Sequence, residues 1–199
     1  MNKIVFASSN NGKISEVRKI LSSNHLEIIT QSEFNIPDAK ETGLSFIENA
    51  ILKARHCARY SKMPSFADDS GLEVDALQGK PGIYSARFSG ENGDNKKNIT
   101  KLLGLLKDTA TAKRTARFQC HIALIRHEFD PTPIIVSGVW EGLILDKEKG
   151  NDGFGYDPVF YLPSLRKTAA ELTDVEKNSI SHRSLALNML KQKIREVRI

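Results

Sequence analysis

Two adjacent aspartates, Asp68 and Asp69, follow a short apolar run and precede Ser70. Carboxylates this close repel each other, and a hard divalent cation would relieve the repulsion. Mg²⁺ suits the pair because it takes one or two carboxylates together with water and phosphate oxygens, and Glu41 could add a third carboxylate. With the metal bound, one carboxylate could instead orient or deprotonate an attacking water. The alternative for the same residues is an acidic turn without chemistry.

A polar segment, residues 8–13, joins the first predicted strand to the first predicted helix. Backbone N–H groups at a helix start favour an anion and Lys13 adds positive charge, so the segment could hold phosphate. It is not a Walker A loop, because Ala7 and Ile14 stand where that pattern has a glycine and a serine or threonine. An ordinary polar turn is the alternative. The candidate residues are Ser8, Ser9, Asn10, Asn11, Gly12 and Lys13.

A second candidate binding segment is the glycine-rich loop at residues 150–157. Its glycines let the backbone approach a flat ligand, and Phe154 could stack on a base, a contact of about 1–3 kcal/mol. Asp157 could accept a hydrogen bond from a base or a sugar. Alternatively, the aromatic side chains of the loop fill the core. The candidate residues are Phe154, Gly155, Tyr156 and Asp157.

Basic side chains gather around the start of the last predicted helix, at Lys177, His182 and Arg183. These donors suit the O6 acceptor of hypoxanthine or xanthine, whereas adenine presents an amino donor at the same position. A site built around such a hydrogen bond can reject the mismatched base by about 10⁴-fold. A basic helix start without a ligand is the alternative, although the helix dipole mildly disfavours it.

The elements that must position these residues follow a mixed α/β pattern. Strands are expected at residues 3–7, 26–30, 65–67, 73–77, 115–126 and 134–141, the last two as antiparallel partners, and loops at 79–93 and 150–157. Helices are expected after Gly12, from a Ser45–Glu48 capping box to about Tyr60, at 95–106, and from Ser181 onwards, with Val197 as the last apolar position.

The composition fits a globular protein that handles polyanions. The chain has 199 residues, 40% of them hydrophobic, and a net charge of +5. Cys57 and Cys120 have neither metal-ligand nor disulfide spacing, and no signal peptide or membrane-spanning stretch is visible, so we expect a cytoplasmic protein. The histidines outside the basic cluster show no ligand spacing: His25, His56, His121 and His127.

In this order, the four motifs closely resemble the inosine triphosphate pyrophosphatase family, the dITP/XTP pyrophosphatases. The similarity runs from residues 6–10 to residues 180–183 and includes residues 81–87, Pro-Gly-Ile-Tyr-Ser-Ala-Arg. It implies one domain, residues 1–199, with an elongated two-lobed α/β fold, a mixed sheet flanked by helices, and a nucleotide cleft between the lobes. The implied reaction converts ITP, dITP or XTP and water into the monophosphate and pyrophosphate.

The resemblance also implies residue roles. Residues 8–13 would hold the triphosphate and Ser70 would touch the substrate. Glu41 and Asp69 would bind Mg²⁺, and Asp69 would be the general base. The implied base pocket consists of Phe154, Gly155, Tyr156, Asp157, Lys177, His182 and Arg183. The family is usually homodimeric, so the expected partners are a purine nucleoside triphosphate and a second copy of the chain.

Three other functions remain open at this point. One is a house-cleaning pyrophosphatase for other modified nucleotides. Another is a phosphatase or kinase-like phosphotransferase, which release of orthophosphate rather than pyrophosphate would favour. The third is a nucleic-acid-binding module, which would need exposed aromatic residues among lysines and arginines. The loops here end in carboxylates, which would repel a phosphate backbone, so neither a nucleic acid nor a membrane is expected as a partner.

Overall fold

The computed structural model describes residues 2–21, 26–90 and 93–196 and has the mixed α/β fold that the sequence predicts. His25 and Val197 lie outside these described residues. The strands are β1 Asn2–Phe6, β2 Leu26–Thr30, β3 Ser65–Val74, β4 Thr115–Ile125, β5 Ile134–Ile144, β6 Phe160–Leu162 and β7 Lys167–Thr168. The helices are α1 Asn11–Leu21, α2 Phe46–Ser61, α3 Asn95–Leu105, α4 Asp174–Ile180 and α5 His182–Glu196.

The seven strands form one mixed sheet in the order β2-β1-β3-β4-β5-β6-β7. Strand β1 is parallel to β2 and to β3, with Val5 opposite Ser65 and Phe6 opposite Phe66. Strand β6 is antiparallel to both β5 and β7. The Ala7 N–H donates to the Phe66 carbonyl at 2.8 Å. The polar segment that follows β1 therefore begins beside β3, close to the acidic pair.

The first compact unit comprises residues 1–69, 120–138 and 182–199. Residues 4–6 of β1 and 65–69 of β3 are buried on both faces, as expected for parallel strands covered by helices on two sides. Phe6 packs in one cluster with Val17 of α1 and Leu187 of α5. Val5, the neighbouring residue of β1, packs in another cluster with Ala54 of α2. Helices α1, α2 and α5 thus pack against β1, the strand next to the one that carries the acidic pair.

The second compact unit comprises residues 70–119 and 139–181. Its core is built on aromatic contacts. The Phe160 ring centroid lies 4.6 Å from that of Phe118 and 5.3 Å from that of Trp140. Ile99 and Leu102 of α3, the helix expected at residues 95–106, are buried in the same cluster.

Helix α2 begins at the predicted capping box. The Glu48 N–H donates to Ser45 Oγ at 3.3 Å, as that motif requires. The Glu48 carboxylate accepts the Ser45 hydroxyl at 2.9 Å and the N–H of Leu44 at 2.8 Å, one residue further back than in the usual capping box. The cap therefore ties the loop before α2 to the first turn of the helix.

Two strands predicted from the sequence around the acidic pair are wrong. The strand expected at residues 73–77 does not form separately, because Glu73 and Val74 end β3 and residues 75–77 form a short 3-10 helix. The short strand expected at residues 65–67 continues through Asp68 and Asp69 and ends only at Val74. An acidic pair favours a turn when its charges face water, but here both carboxylates are buried and each contacts a lysine. Because these ion pairs offset the charge, the chain remains extended. Strands β6 and β7 and helix α4 were not predicted, since they span only three, two and seven residues.

Replacing Ser45 by alanine removes the acceptor of the Glu48 N–H, so we expect the free energy of unfolding to fall by about 1 kcal/mol. Urea denaturation followed by circular dichroism measures the change. Thr42→Ala, at an exposed position of the preceding loop, is the control and should leave the midpoint unchanged. Equal midpoints for the two variants would contradict the role of the cap.

Candidate active site

The acidic pair divides its contacts between two sets of residues. Successive side chains of a strand point to opposite faces, and Asp68 and Asp69 are consecutive in β3, 2% and 6% exposed respectively. Asp68 contacts Lys13 of α1. Asp69 contacts Lys53 of α2. All of these residues belong to the first compact unit.

Three residues surround Asp69, and we call the four the Asp69 cluster: Glu41, Asn49, Lys53 and Asp69. The Lys53 ammonium donates to Asp69 Oδ1 at 2.6 Å and to Glu41 Oε1 at 2.9 Å. The Asn49 amide donates to Asp69 Oδ2 at 3.3 Å and accepts the Gly43 N–H at 2.8 Å. Helix α2 therefore positions Asp69 and also holds the loop that carries Glu41.

The Asp69 cluster changes the proton affinity of its members. Burial raises the pKa of Asp69 above its ordinary value, and the Lys53 ammonium acts in the opposite direction. Burial would lower the pKa of Lys53, but the nearby carboxylates, Asp69 first, outweigh it and raise that pKa. At neutral pH the lysine is therefore charged, while Asp69 is a stronger base than an exposed aspartate.

A second set of charges surrounds Asp68, and we call it the Asp68 network: Lys13, Glu16, Asp68 and Arg183. Asp68 Oδ2 accepts from Lys13 Nζ at 2.9 Å and from Arg183 Nε at 3.2 Å. Arg183 Nη1 also donates to Glu16. Burial alone would lower the pKa of Arg183, but Asp68 and Glu16 raise it well above its ordinary value. The four charges alternate in sign and join α1, β3 and α5.

The predicted phosphate segment is a helix start organised by Asn10. Its side-chain oxygen accepts the Lys13 N–H at 3.1 Å, and its carbonyl accepts the Ile14 N–H at 3.0 Å. The amides of Asn11 and Gly12 belong to the first turn, where a helix supplies no acceptor of its own. An anion placed there meets these two donors and the positive end of the helix.

Two serines of the same segment have defined partners. Ser8 Oγ accepts the Asn10 N–H at 3.2 Å, so it helps to shape the turn. The Ser9 hydroxyl donates to Asp38 at 3.3 Å. Ser9 itself is exposed, so the segment presents hydroxyls and backbone amides together.

The glycine-rich loop of the second unit is closed by a buried ion pair. Asp157 Oδ2 accepts the Phe154 N–H at 2.8 Å and the Lys177 ammonium at 2.6 Å. The same ammonium lies 4.8 Å from the centre of the Phe154 ring. The structure thus brings together three residues that the sequence analysis placed in a base pocket.

Other predicted base-pocket residues have different surroundings. The side chain of Tyr156 is buried in the core, and its hydroxyl donates to the Ser85 carbonyl at 2.8 Å. This contact anchors the loop, as the core-filling alternative proposed. Gly155 adopts a left-handed backbone conformation with φ +64°. Ser70 lies in β3 within the second unit, whereas His182 and Arg183 begin α5 in the first unit.

Four contributors to these sets were not identified from the sequence: Glu16, Asp38, Asn49 and Lys53. For the two on α2 a signal existed. Asn49 and Lys53 are four residues apart and therefore adjacent on the helix surface, and both border the apolar face at Ala50 and Ala54. A polar pair bordering a buried helix face is a signal for a buried partner, which here is Asp69.

The Asp69 cluster has the donors that a Mg²⁺ ion would need. Its two carboxylates, Glu41 and Asp69, converge on a single ammonium, so the chain concentrates negative charge around a cation. Mg²⁺ takes one or two carboxylates and completes its shell with water and phosphate oxygens. Within the described part of the chain, no three His, Cys, Asp or Glu residues converge as a metal site. Water and phosphate oxygens would complete the shell of an ion held by Glu41 and Asp69.

Comparisons with known proteins identify relatives over the full chain. The model of the Ham1 family matches residues 4–193. The dITP/XTP pyrophosphatase of Salmonella typhimurium strain LT2 is 53% identical over 195 residues, which are 98% of this chain and 99% of the relative. The dITP/XTP pyrophosphatase of Escherichia coli K12 is 51% identical with the same coverage.

Solved structures show the same similarity. A HAM1 protein from Coxiella burnetii superposes with a TM-score of 0.93 at 47% sequence identity, over 99% of this chain and all of that one. The Ham1 protein of Staphylococcus aureus gives a TM-score of 0.88 at 43% identity, over 98% and 99% of the two chains. The architecture described above is therefore that of these proteins.

Gly153 has a left-handed backbone, φ +78°, and a Cβ there would lie 2.2 Å from Asp157 Oδ2. We expect Gly153→Ala to displace the Asp157 carboxylate and to lower the melting temperature. Gly155→Ala is the matched control, because its φ is also positive but nothing lies within 4 Å of the added Cβ. The strain common to both costs about 1 kcal/mol, so Gly153→Ala should be the less stable variant in thermal denaturation. The opposite order would contradict the tight packing around Asp157.

Proposed function

The chain belongs to the Ham1 family, and from this premise we propose that it hydrolyses noncanonical purine nucleoside triphosphates. The products are the monophosphate and pyrophosphate, and the reaction cleanses the nucleotide pool of ITP, dITP and XTP. Relatives named dITP/XTP pyrophosphatase, 50–53% identical over nearly the whole chain, support this function. The structural observation that best supports the proposal is the buried acidic pair, in which Asp68 forms an ion pair with Lys13 and Asp69 forms one with Lys53.

Asp69 is proposed as the general base of this hydrolase. A water that attacks the α-phosphorus must lose a proton, and a carboxylate with a raised pKa accepts it more readily than an exposed one. Lys53 and Asn49 each hold one carboxylate oxygen of Asp69. Their contacts fix the direction of the carboxylate, so that little reorganisation is needed when the proton moves.

Residues 8–13 are proposed to bind the triphosphate. The first-turn amides of Asn11 and Gly12 offer backbone donors, and Lys13 adds an ammonium that is 18% exposed at its side chain. Negative charge develops on the leaving pyrophosphate, and fixed positive groups stabilise it most where water is scarce. Ser70, which follows Asp69 directly, is proposed to contact the substrate as well.

We propose Mg²⁺ as the cofactor, held by Glu41 and Asp69. When bound, the ion offsets charge on the triphosphate and lowers the pKa of a coordinated water. The support is the donor set itself, two carboxylates that already share one cation. Lys53 keeps these carboxylates close together against their mutual repulsion.

The base is proposed to be recognised by residues 154–157 together with Lys177, His182 and Arg183. Phe154 offers a ring for stacking, and Lys177 lies against that ring with its charge oriented by Asp157. An ammonium has three donors, so Lys177 can contact Asp157 and still donate to an acceptor such as O6 of hypoxanthine. Tyr156 is proposed to contribute by anchoring the loop backbone through its hydrogen bond to the Ser85 carbonyl.

A homodimer in the cytoplasm is the proposed state of the protein. The resemblance to the inosine triphosphate pyrophosphatases supports the dimer, and sedimentation analysis of the purified chain measures it. Cys57 and Cys120 are both buried thiols, which suits a reducing compartment. Among the described helices, none combines the length and the apolar character needed to cross a bilayer.

Hydrolysis of a nucleotide panel with product identification tests the proposed function. We expect IMP and pyrophosphate from ITP, the corresponding products from dITP and XTP, and little turnover of ATP. Preference for a modified pyrimidine triphosphate would favour the alternative pyrophosphatase instead. Release of orthophosphate and a diphosphate would indicate a phosphohydrolase of another class.

Asp69→Asn should fold normally and lose most turnover on ITP, dITP and XTP. The change keeps the shape of the side chain but removes the charge that the metal and the water need, and loss of a general base costs about 10²–10⁴-fold. Steady-state assays at saturating Mg²⁺ measure the loss. Asp75→Asn, at an aspartate that pairs with Arg117 in the second unit, is the control. Near wild-type activity of Asp69→Asn would exclude it as the base.

The pH dependence of kcat should also report Asp69. The base acts only when deprotonated, so activity falls as the pH drops through its pKa, which burial raises above the ordinary 3.8. Lys53→Met removes the ammonium that lowers this pKa, so the acidic limb should move to higher pH. Lys62→Met, at an exposed lysine that contacts Glu128, should leave the limb in place. An unmoved limb in Lys53→Met would mean that another group titrates.

A further inference from the structure

Asp68 contacts two of the residues assigned to different parts of the substrate. One of its oxygens, Oδ2, accepts from Lys13 Nζ at 2.9 Å and from Arg183 Nε at 3.2 Å. Lys13 is the last residue of the proposed phosphate segment, and Arg183 belongs to the proposed base-recognition set. Both cations therefore depend on the same carboxylate oxygen for their orientation.

Burial makes this arrangement sensitive to the loss of any member. Asp68 and Arg183 are each 2% exposed, and Glu16 holds the far side of the guanidinium. Removing one partner of a buried ion pair leaves an uncompensated charge, which is strongly unfavourable. Lys13 is the most exposed member of the network, so it is the one placed to exchange its partner for a phosphate oxygen.

We propose that Asp68 is a positioning residue that couples phosphate binding by Lys13 to base recognition by Arg183. The proposal rests on the proposed function, because it deepens the roles assigned there. When a phosphate attracts Lys13, Asp68 Oδ2 binds Arg183 more closely, since it then accepts from fewer donors. When a base contacts Arg183 instead, Asp68 Oδ2 binds Lys13 more closely. Glu16 limits both movements by holding Nη1 of Arg183.

This role separates Asp68 from its neighbour Asp69. A metal at Asp68 Oδ2 would compete with an ammonium and a guanidinium that already contact that oxygen. The carboxylates of Glu41 and Asp69 instead share a single lysine. The geometry therefore assigns metal and water chemistry to Asp69, and orientation of the two cations to Asp68.

The first test is Asp68→Asn in the full chain, assayed with ITP and with ATP over a range of Mg²⁺ concentrations. We expect kcat/KM for ITP to fall about tenfold, as for one charged hydrogen bond, and the ratio of ITP to ATP hydrolysis to fall with it. The half-saturating Mg²⁺ concentration should stay at the wild-type value. A large rise in that concentration, as expected for Glu41→Gln, would make Asp68 a metal ligand and overturn the proposal.

The second test is a double-mutant cycle with Lys13→Met. If Asp68 acts on the phosphates through Lys13, adding Asp68→Asn to Lys13→Met should lower kcat by less than about twofold further. Losses that multiply in full would mean that Asp68 acts on the reaction independently, which contradicts the proposal. Absence of pyrophosphate release from ITP by the wild-type chain would instead contradict the proposed function, so the two failures are distinguishable.

Asp130→Asn is the matched control for a loss of stability alone. Asp130 is a buried aspartate of the same unit that pairs with Arg126. We expect this variant to melt at a lower temperature but to keep the ITP to ATP ratio of the wild type. If it changes that ratio as much as Asp68→Asn does, the effect is structural and the proposal fails.

Glu16→Gln tests the proposal without altering Asp68, should Asp68→Asn not fold. The change removes the negative charge of Glu16 that faces Arg183 but retains a side-chain oxygen that can accept from it. We expect the ratio of ITP to ATP hydrolysis to fall about threefold, because the change weakens one charged hydrogen bond without removing it. The half-saturating Mg²⁺ concentration should stay at the wild-type value. A wild-type ratio would show that the orientation of Arg183 does not govern selectivity, and would overturn the coupling.

Discussion

Two consecutive carboxylates in a buried strand must each find positive charge, because an unpaired ionised group is costly to bury. The alternation of strand side chains sends Asp68 and Asp69 in opposite directions, so one cation cannot serve both equally. Lys13 of α1 forms an ion pair with Asp68, and Lys53 of α2 forms one with Asp69. The proposed active site follows from this requirement, since the same two lysines would offset the negative charge of a bound polyphosphate.

The surrounding fold provides these lysines through short local arrangements. Parallel pairing of β1 with β3 brings the start of α1 beside the acidic pair, and Asn10 then sets the helix start from which Lys13 projects. On the other side, the Ser45 cap fixes the beginning of α2, and Asn49 and Lys53 follow one and two turns later. Each lysine is thus placed by the start of its own helix, and the apolar clusters hold those helices against the strands.

The sequence predicted the local features well and the long-range ones poorly. The capping box at Ser45 and the α/β class follow from spacing alone, because the patterns that indicate them involve residues within a few positions of each other. The continuation of β3 through Asp68 could not be foreseen in this way. Its stability depends on Arg183, which is 115 residues away in the chain, so local propensity indicated a turn where tertiary ion pairs maintain a strand.

The glycine-rich loop, residues 150–157, depends mainly on local contacts instead. Phe154 and Asp157 are three residues apart, and their backbone-to-side-chain hydrogen bond closes the loop from within. Lys177 comes from elsewhere, on the short helix α4, whose Thr173 cap compensates for its seven-residue length. Because Asp157 offsets the buried charge of Lys177, the ammonium can remain against the Phe154 ring before any base arrives. If a base stacks on this ring, as proposed, it would meet a donor already in position, and an acceptor at its edge would be favoured over an amino group without further rearrangement.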